Sequence, residues 1–450
     1  MFVSRLALDH YRSWEHLVVD LTPGVNILHG PNGLGKTNVV EAVEVLSTGS
    51  SHRTSSSLPL VRRGSTKATI RANVAFDALS PAVTYEATIA ARGANRARVN
   101  GGPSRYLREI TGAVPSVTFA PDDQRLIAAD PATRRGFLDQ AGSLLLHRYG
   151  DLLGRFTHIA RQRAALLKRL GAHEGPYDAA LSGLEIWTGQ FIEAGVALTR
   201  ARSELVRRLS PTFGALYVRL ASGRGEAALE YSPSFDEVLA LEAPHAAISE
   251  HFRRLYAGET ARGVNLIGPQ RDDLTVTLDG MPAREFASNG EMWTMALALK
   301  MALFDAVATD REVKPIVILD DVFAQLDDAR REQILEFASA QDQVLVTAAA
   351  SGDIPTNRKA NVVDVEALRT STGEWSANSI ANVCNGGVAQ NSQNPLYSPL
   401  ESDSESAGTS SSAIEARSAL IEVETGPDGP SDRDGPSEAD TIGRLDGESA

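Results

Sequence analysis

Residues 25–40 read VNILHGPNGLGKTNVV, and no other stretch restricts the possible folds so strongly. A short apolar strand (Val25, Ile27, Leu28) runs into Gly30-Pro-Asn-Gly-Leu-Gly-Lys-Thr37, and a helix starts near Lys36. This is G-x-x-x-x-G-K-[ST] in the strand–loop–helix setting that gives the motif its meaning. Gly30, Gly33 and Gly35 let the backbone turn tightly, so that successive N–H groups converge on phosphate oxygens. The positive end of the next helix adds to the attraction for an anion. Lys36 is placed to reach β- and γ-phosphates and the Thr37 hydroxyl to ligate Mg²⁺. A nucleotide-binding α/β domain is expected.

The N-terminal 21 residues read as two strands, 3–8 and 17–21, joined by a turn holding Tyr11, Arg12 and Trp14. Tyr11 or Arg12 is a candidate to flank the base or ribose, unless these are ordinary turn residues. The polar segment STGSSHRTSSS after the first helix offers His52 and Arg53 as phosphate or DNA contacts, or is a solvated loop. Residues 68–76, 83–90 and 96–99 alternate apolar and polar, as half-buried antiparallel strands do.

From residue 120 the pattern changes. Asp130-Pro131 is a helix start, with Asp130 as cap and Pro131 at the first position. Helical periodicity runs to about residue 170. After the break GAHEGPYD it resumes with Leu184, Phe191, Leu198 and Leu205 at intervals of seven. Two helices joined by a Gly/Pro turn form an antiparallel hairpin, an arm of about 33 residues reaching about 50 Å. Residues 131–220 hold thirteen Lys/Arg against seven Asp/Glu. The pairs Arg161/Arg163, Lys168/Arg169, Arg200/Arg202 and Arg207/Arg208 are either a solvated face or a phosphate-contacting one.

Chemistry returns with Gly268-Pro-Gln-Arg-Asp-Asp273, which precedes a strand at 274–278. Ser288-Asn-Gly-Glu-Met-Trp293 then opens an amphipathic helix at 294–308. Ser-x-Gly at a helix N-terminus is a second anion site, weak when taken alone. Next, Ile316-Val-Ile-Leu-Asp320-Asp321 is a buried parallel-type strand ending in two carboxylates. Asp320 suits the hydration shell of Mg²⁺, and Asp321 the orientation or deprotonation of an attacking water. A last core strand at 343–347 brings Thr347 to the edge of the site.

The net charge of −13 looks unsuited to a nucleic-acid partner until it is located, because residues 401–450 alone carry −10. From about residue 370 the composition is Ser, Gly, Asn, Pro and acid, too poor in large apolar residues to offset chain entropy, so a disordered tail is expected. No apolar leader precedes the first strand and charges interrupt the later apolar runs, so neither a signal peptide nor a membrane span is expected. The single Cys384 suits a reducing compartment, hence the cytoplasm.

Taken together, GPNGLGKTN at 30–38, SSHRT at 50–54, VTFAPDDQRLI with DPATRRGFLD at 117–139, LIGPQRDDL at 266–274, SNGEMWTMALALK at 288–300 and VILDDVFAQLD at 317–327 resemble the bacterial RecF family. These are ABC-type ATPases related to the heads of SMC proteins, and the resemblance covers roughly residues 1–368. It implies an α/β ABC-type P-loop ATPase head with an inserted α-helical lid and a disordered acidic C-terminal tail. The divisions are 1–119 (first ATPase half), 120–262 (lid), 263–368 (second ATPase half) and 369–450 (tail). It implies an ATP and Mg²⁺ site of Gly30, Pro31, Asn32, Gly33, Leu34, Gly35, Lys36, Thr37 and Asn38, with Ser288 and Gly290 contributed across an ATP-dependent homodimer. Lys36, Asp320 and Asp321 would be catalytic, Thr37 and Asp320 would hold Mg²⁺, and the Asp327 segment would cross the dimer interface.

The implied activity is a weak, DNA-stimulated ATP hydrolysis. The implied partners are duplex DNA beside single-strand gaps and the RecO and RecR proteins, in recombinase loading during replication and repair. The sequence differs from common members in Asn289, Glu291 and Trp293, in Gln270 and in its tail. An SMC-like tether or another ABC-type ATPase with a different partner is the alternative, and the short arm disfavours a tether. A small-molecule kinase needs no Ser-x-Gly helix start. A transporter subunit usually has a switch His where this chain has Thr347-Ala-Ala-Ala.

Overall fold

Period-two alternation in the first hundred residues builds an antiparallel sheet. The computed structural model describes residues 1–54, 56–76, 80–172, 177–349 and 360–371. It begins with the hairpin β1 (Phe2–Tyr11) and β2 (Trp14–Asp20), where Leu6 faces Val19 and Leu8 faces Leu17 on the buried side. The strand β3 (Gly24–His29) leaves this layer and feeds the helix α1 (Lys36–Thr48). Strands β4 (Lys67–Ala75), β5 (Val83–Ala90), β6 (Arg96–Val99) and β7 (Arg105–Tyr106) complete the sheet in the order β2-β1-β4-β5-β6-β7. The three strands expected at 68–99 are all present.

A core strand β8 (Ser116–Phe119) leads to the helices α2 (Arg125–Ala128), α3 (Pro131–Leu145), α4 (Tyr149–Gly171) and α5 (Tyr177–Leu220). Helix α3 starts at Pro131 as expected, but the Asp130 side chain makes no capping bond and instead accepts from Arg284 at 3.3 Å. The periodicity that ran through to residue 170 is interrupted after Leu145. Arg148 takes a left-handed φ of 60°, and the Tyr149 ring packs where a side chain on Gly142 would sit, 2.7 Å away. Across the hairpin Phe156 meets Phe191, Arg163 meets Thr188, and Leu170 clusters with Leu184. That progression makes the pair antiparallel. The arm is shorter than expected, because only the 23 residues of α4, about 35 Å, are paired in it. The rest of α5 packs on the body of the molecule.

Next come β9 (Ala227–Ser232), α6 (Glu237–Ala240), α7 (His245–Arg262), β10 (Asp273–Leu278) and β11 (Met281–Pro282), with β11-β10-β9 forming a small sheet. The chain then runs through α8 (Ala283–Phe286), α9 (Asn289–Arg311), β12 (Ile316–Asp320), α10 (Asp328–Ser339), β13 (Gln343–Ala348), β14 (Asn361–Asp364) and α11 (Val365–Ser371). The edge strand β14 and the helix after it are not announced by any pattern in the sequence. The expected disordered tail lies outside the described residues.

The core sheet, β14-β3-β13-β12-β8, is parallel at every pairing. Its strands are buried on both faces, which is why they read as unbroken apolar runs. Leu28, Ile318 and Leu345 face one core with α1 and the antiparallel sheet. Ile27, Val317, Leu319, Val344 and Val346 face the other, with α9 and the helical region. Helix α9 is the one among the described residues long and apolar enough to cross a membrane, and 78 % of its apolar window is buried inside the protein. Its apolarity belongs to this core.

Candidate nucleotide site

Parallel pairing brings the ends of three strands to one edge. Asp320 lies opposite Thr347, and Thr347 opposite Leu28, two residues before the glycine loop. The loop needs its glycines. Gly30, Gly33 and Gly35 have φ of 147°, 85° and 96°. A side chain on Gly35 would also lie 2.7 Å from Ser13 Oγ and 2.9 Å from Trp14 Nε1. The β1–β2 turn therefore braces the loop from beneath, with Trp14 Nε1 donating to the Gly35 carbonyl at 3.1 Å and Asn38 Nδ2 donating to Ser13 Oγ at 2.9 Å.

Lys36 is folded back onto the loop, its Nζ donating to the carbonyls of Gly30 (2.6 Å) and Pro31 (3.0 Å) and to Asn32 Oδ1 (3.3 Å). Burial lowers its pKa, opposed by the charges of Asp321 and Asp320. Thr37 Oγ1 donates to Asp320 Oδ1 at 2.9 Å, and Thr347 Oγ1 donates to the same oxygen at 2.8 Å. Asp320 is buried, and that burial raises its pKa against the lowering effect of the two hydroxyls. Its neighbour Asp321 is exposed and takes a left-handed φ of 52°, with its N–H held by Thr347 Oγ1 at 2.8 Å. Strained backbone at a non-glycine residue persists only where surrounding contacts impose it.

The second motif is organised differently. Ser288 caps α9 in a closed box: its Oγ accepts from the Glu291 N–H (3.3 Å), and the Ser288 N–H and Oγ donate to Glu291 Oε2 (2.8 Å each). The Ser288 N–H, and then its hydroxyl, hold the Glu291 carboxyl below its usual range. The Gly290 carbonyl accepts from Arg330 Nη2 at 3.0 Å, and a side chain on Gly290 would lie 2.9 Å from that nitrogen. Arg330 is also paired with Asp327, the cap of α10. Among the described residues no hydrogen bond joins Ser288 or Gly290 to residues 30–38. The P-loop and the carboxylate strand are thus assembled with each other, and the Ser-x-Gly helix start stands apart from them.

Three expectations change. Tyr11 is fully buried in the core and cannot flank a base. Arg12 is committed to Glu41 through two bonds of 2.8 and 2.5 Å. His52 is held by Glu44 at 2.7 Å, and Arg53 bridges Asn38 (2.9 Å) and Glu41 (3.3 Å), which makes it part of the loop's support. Glu41 and Glu44, both buried, hold this side of the site together. The signal in the sequence is their i, i+3 spacing on an otherwise apolar helix.

The arm's basic pairs divide: Arg161, Lys168 and Arg169 are exposed and, among the described residues, pair with no carboxylate, whereas others are committed to the fold. Arg163 is buried against Glu259 (2.6 Å) and Asn265 (2.7 Å), and Arg202 against Asp139 (2.9 Å) and Asp272 (3.2 Å). Arg207 and Arg208 both pair with Glu204.

A parallel sheet with a P-loop, a carboxylate-ended strand one strand removed from it, an antiparallel sheet on one face and an inserted helical arm defines an ABC-type ATPase head. The comparisons with known proteins narrow this. A family model described as the RecF/RecN/SMC N terminal domain matches residues 2–370. The DNA replication and repair protein RecF of Bifidobacterium adolescentis is 64 % identical over 379 residues, covering 83 % of this chain and 93 % of that one. The protein of the same name from Beutenbergia cavernae is 41 % identical over 390 residues, covering 81 % and 98 %. Of solved structures, the recombination mediator protein RecF-ATPrS of the RecFOR pathway superposes with a TM-score of 0.71 at 23 % identity, covering 81 % of this chain and 96 % of that one. The RecF-ATP structure gives 0.69 at 24 %. This chain belongs to the RecF family.

Proposed function

We propose that this chain is an ATP-switched DNA-binding protein of replication and recombinational repair. The observation that carries it is the convergence of Thr37 and Thr347 on Asp320 at the open edge of the parallel sheet. The N–H groups of residues 32–38 bind the phosphates of ATP, and Lys36 leaves its loop carbonyls for the β- and γ-phosphates. Asp320 is a buried carboxylate whose hydrogen-bond donors among the described residues are two neutral hydroxyls, an all-oxygen set that suits Mg²⁺. Thr37 and Asp320 would hold that ion, which supplies positive charge beside the phosphates. Asp321, exposed and held in its turn by Thr347, orients the attacking water.

Ser288 and Gly290 make no bond to the loop of their own chain, so they serve a second subunit. Each then contacts the γ-phosphate bound by the partner, with the Asp327 segment at the same interface, and two ATP molecules are buried in a two-fold dimer. Residues 1–119 and 263–368 act as the ATPase halves and 120–262 as the lid, which β9 ties to the second half by pairing with β10. Residues 369–450 are an acidic appendage. DNA beside single-strand gaps, with RecO and RecR as partners in recombinase loading, is the setting, and the cytoplasm is the compartment.

The test pairs two variants. Asp321→Asn binds ATP but hydrolyses it about 10² to 10⁴ more slowly, accumulating dimer. Ser288→Arg binds ATP and stays monomeric on gel filtration. Wild-type hydrolysis by the first, or ATP-dependent dimerisation by the second, removes the assigned role.

A further inference from the structure

Residues 87–108 contain five arginines and no acidic residue. They form the free edge of the antiparallel sheet, β6 and β7, and the residues on either side. Arg92, Arg96, Arg98, Arg105 and Arg108 are all exposed. Arg96 and Arg108 place their guanidinium carbons 4.1 and 4.0 Å from the centroid of the one Tyr106 ring. Arg108 also pairs with Asp151 at 2.5 Å. Among the described residues no carboxylate pairs with Arg92, Arg96, Arg98 or Arg105.

The same sheet shows what a neutralised arginine looks like. Arg71 of β4 bonds both Asp9 and Glu86 at 2.7 Å. One or two edge charges would suffice to stop strand-to-strand association. Arg96 and Arg98 lie on one face of this edge, Arg105, opposite Ala97, is on the other, and Arg92 is in the turn before β6, so the exposed cations line the edge where a polyanion running along it can meet them. Arg96 and Arg98 share one face of β6, about 7 Å apart along the strand, so each can meet a different phosphate. Stacking on Tyr106 orients the Arg96 fork while leaving its N–H edge outward.

Resting on the DNA-binding reading above, we infer that the β6–β7 edge is a duplex DNA backbone contact surface of this protein. The contacts are to phosphates and carry no base readout.

The test is a salt titration of binding to a duplex of arbitrary sequence, using the full chain with Mg²⁺ and ATP. Wild type is compared with Arg92→Ala/Arg96→Ala/Arg98→Ala/Arg105→Ala and with the same four positions changed to Lys. Each lost phosphate contact removes about 0.9 from the slope of log K against log salt, so the alanine variant is expected to be shallower by about 3.6 and at least about tenfold weaker at physiological salt. The lysine variant keeps the charge and most of the slope. Both retain wild-type Tm and hydrolysis without DNA, since the positions are exposed and remote in sequence from the P-loop. A wild-type slope in the alanine variant, or a lysine variant as shallow as the alanine one, overturns the assignment to this edge. Failure of the wild type to bind duplex overturns the DNA-binding reading itself.

Discussion

The two buried arginines of the helical region, Arg163 and Arg202, and those of the β6–β7 edge have the same chemistry and opposite surroundings. In the arm, Arg163 spends its fork on Glu259, Asn265 and Thr188 and stacks on Phe252 with 4.4 Å to the ring centroid. Arg202 joins α5 to α3 and to the segment before β10, bonding Asp139, Asp272 and the Pro269 carbonyl, while Tyr149 and Tyr231 donate to the same two carboxylates. At the edge, Arg96 stacks on the Tyr106 ring, and Arg98 is exposed opposite Glu86, whose carboxylate is bonded by Arg71. A cationic count along the chain therefore says nothing about what is available to a polyanion. The difference lies in whether the fold supplies a carboxylate, and burial makes that supply obligatory.

That contrast is broken most directly at Arg163. Its alanine variant leaves Glu259 buried and uncompensated and is expected to lose about 3–5 kcal/mol. The double variant Arg163→Met/Glu259→Leu removes both charges and recovers most of the loss, because an apolar pair of similar volume can replace a buried ion pair. Arg98→Ala shifts stability by less than about 0.5 kcal/mol. Urea unfolding of the full chain measures all three. Equal effects at Arg163 and Arg98 would show that the arm pair is not a buried network.

Asp320 sharpens the comparison from the other side, since it is a buried charge to which no cation is bonded among the described residues. Its folded pKa is raised above the ordinary 3.8 by burial. The stability linked to its protonated form is complete below the unfolded pKa and is lost as pH rises through the higher folded one. At neutral pH the ionised group therefore costs stability. Asp320→Asn is expected to raise the Tm of the ligand-free protein by an amount corresponding to about 1 kcal/mol, and to abolish the further rise that Mg²⁺ and ATP give the wild type. Thermal melts with and without Mg²⁺–ATP separate the two. A variant destabilised when ligand-free, yet still stabilised by Mg²⁺–ATP, would place the cation elsewhere.

Much of this was legible in the sequence because it is local. The glycine loop, the two carboxylates after an apolar run and the Ser-x-Gly helix start are each encoded within a dozen consecutive residues, and the two core strands among them carry the unbroken apolar signature of a parallel sheet. What was hidden is long-range. Arg163 finds Glu259 and Asn265 at separations of 96 and 102 residues, and Arg202 finds Asp272 at 70. No window along the chain shows such pairs, so the arm looked free. Tyr11 misled for a related reason, since alternation places it in a turn but not inside the core that α1 closes over it. The β6–β7 arginines went unremarked because a four-residue strand reads only as alternation until its neighbours on the sheet are known.

An effect of similar size to that at Asp320 falls between these extremes, at His52 and Glu44, a half-hidden pair beside the nucleotide loop. The His52 side chain is 17 % exposed and that of Glu44 4 %. Burial pulls the imidazole pKa down, but the Glu44 carboxylate more than offsets it, and the folded pKa lies above the ordinary 6.5. The stabilisation is therefore complete below the unfolded pKa and is lost as pH rises through the folded value, the reverse of a paired carboxylate. His52→Gln should lower the Tm most on the acid side, by an amount worth about 1 kcal/mol, and the gap from wild type should close as the solution becomes alkaline. The same pair anchors the segment whose Ser51 and Arg53 hold Glu41, so ATP affinity of the wild type should weaken over the same pH range and that of the variant should not. A Tm gap that stays constant with pH would mean that His52 stabilises this corner as a neutral packing residue rather than as the cationic partner of Glu44.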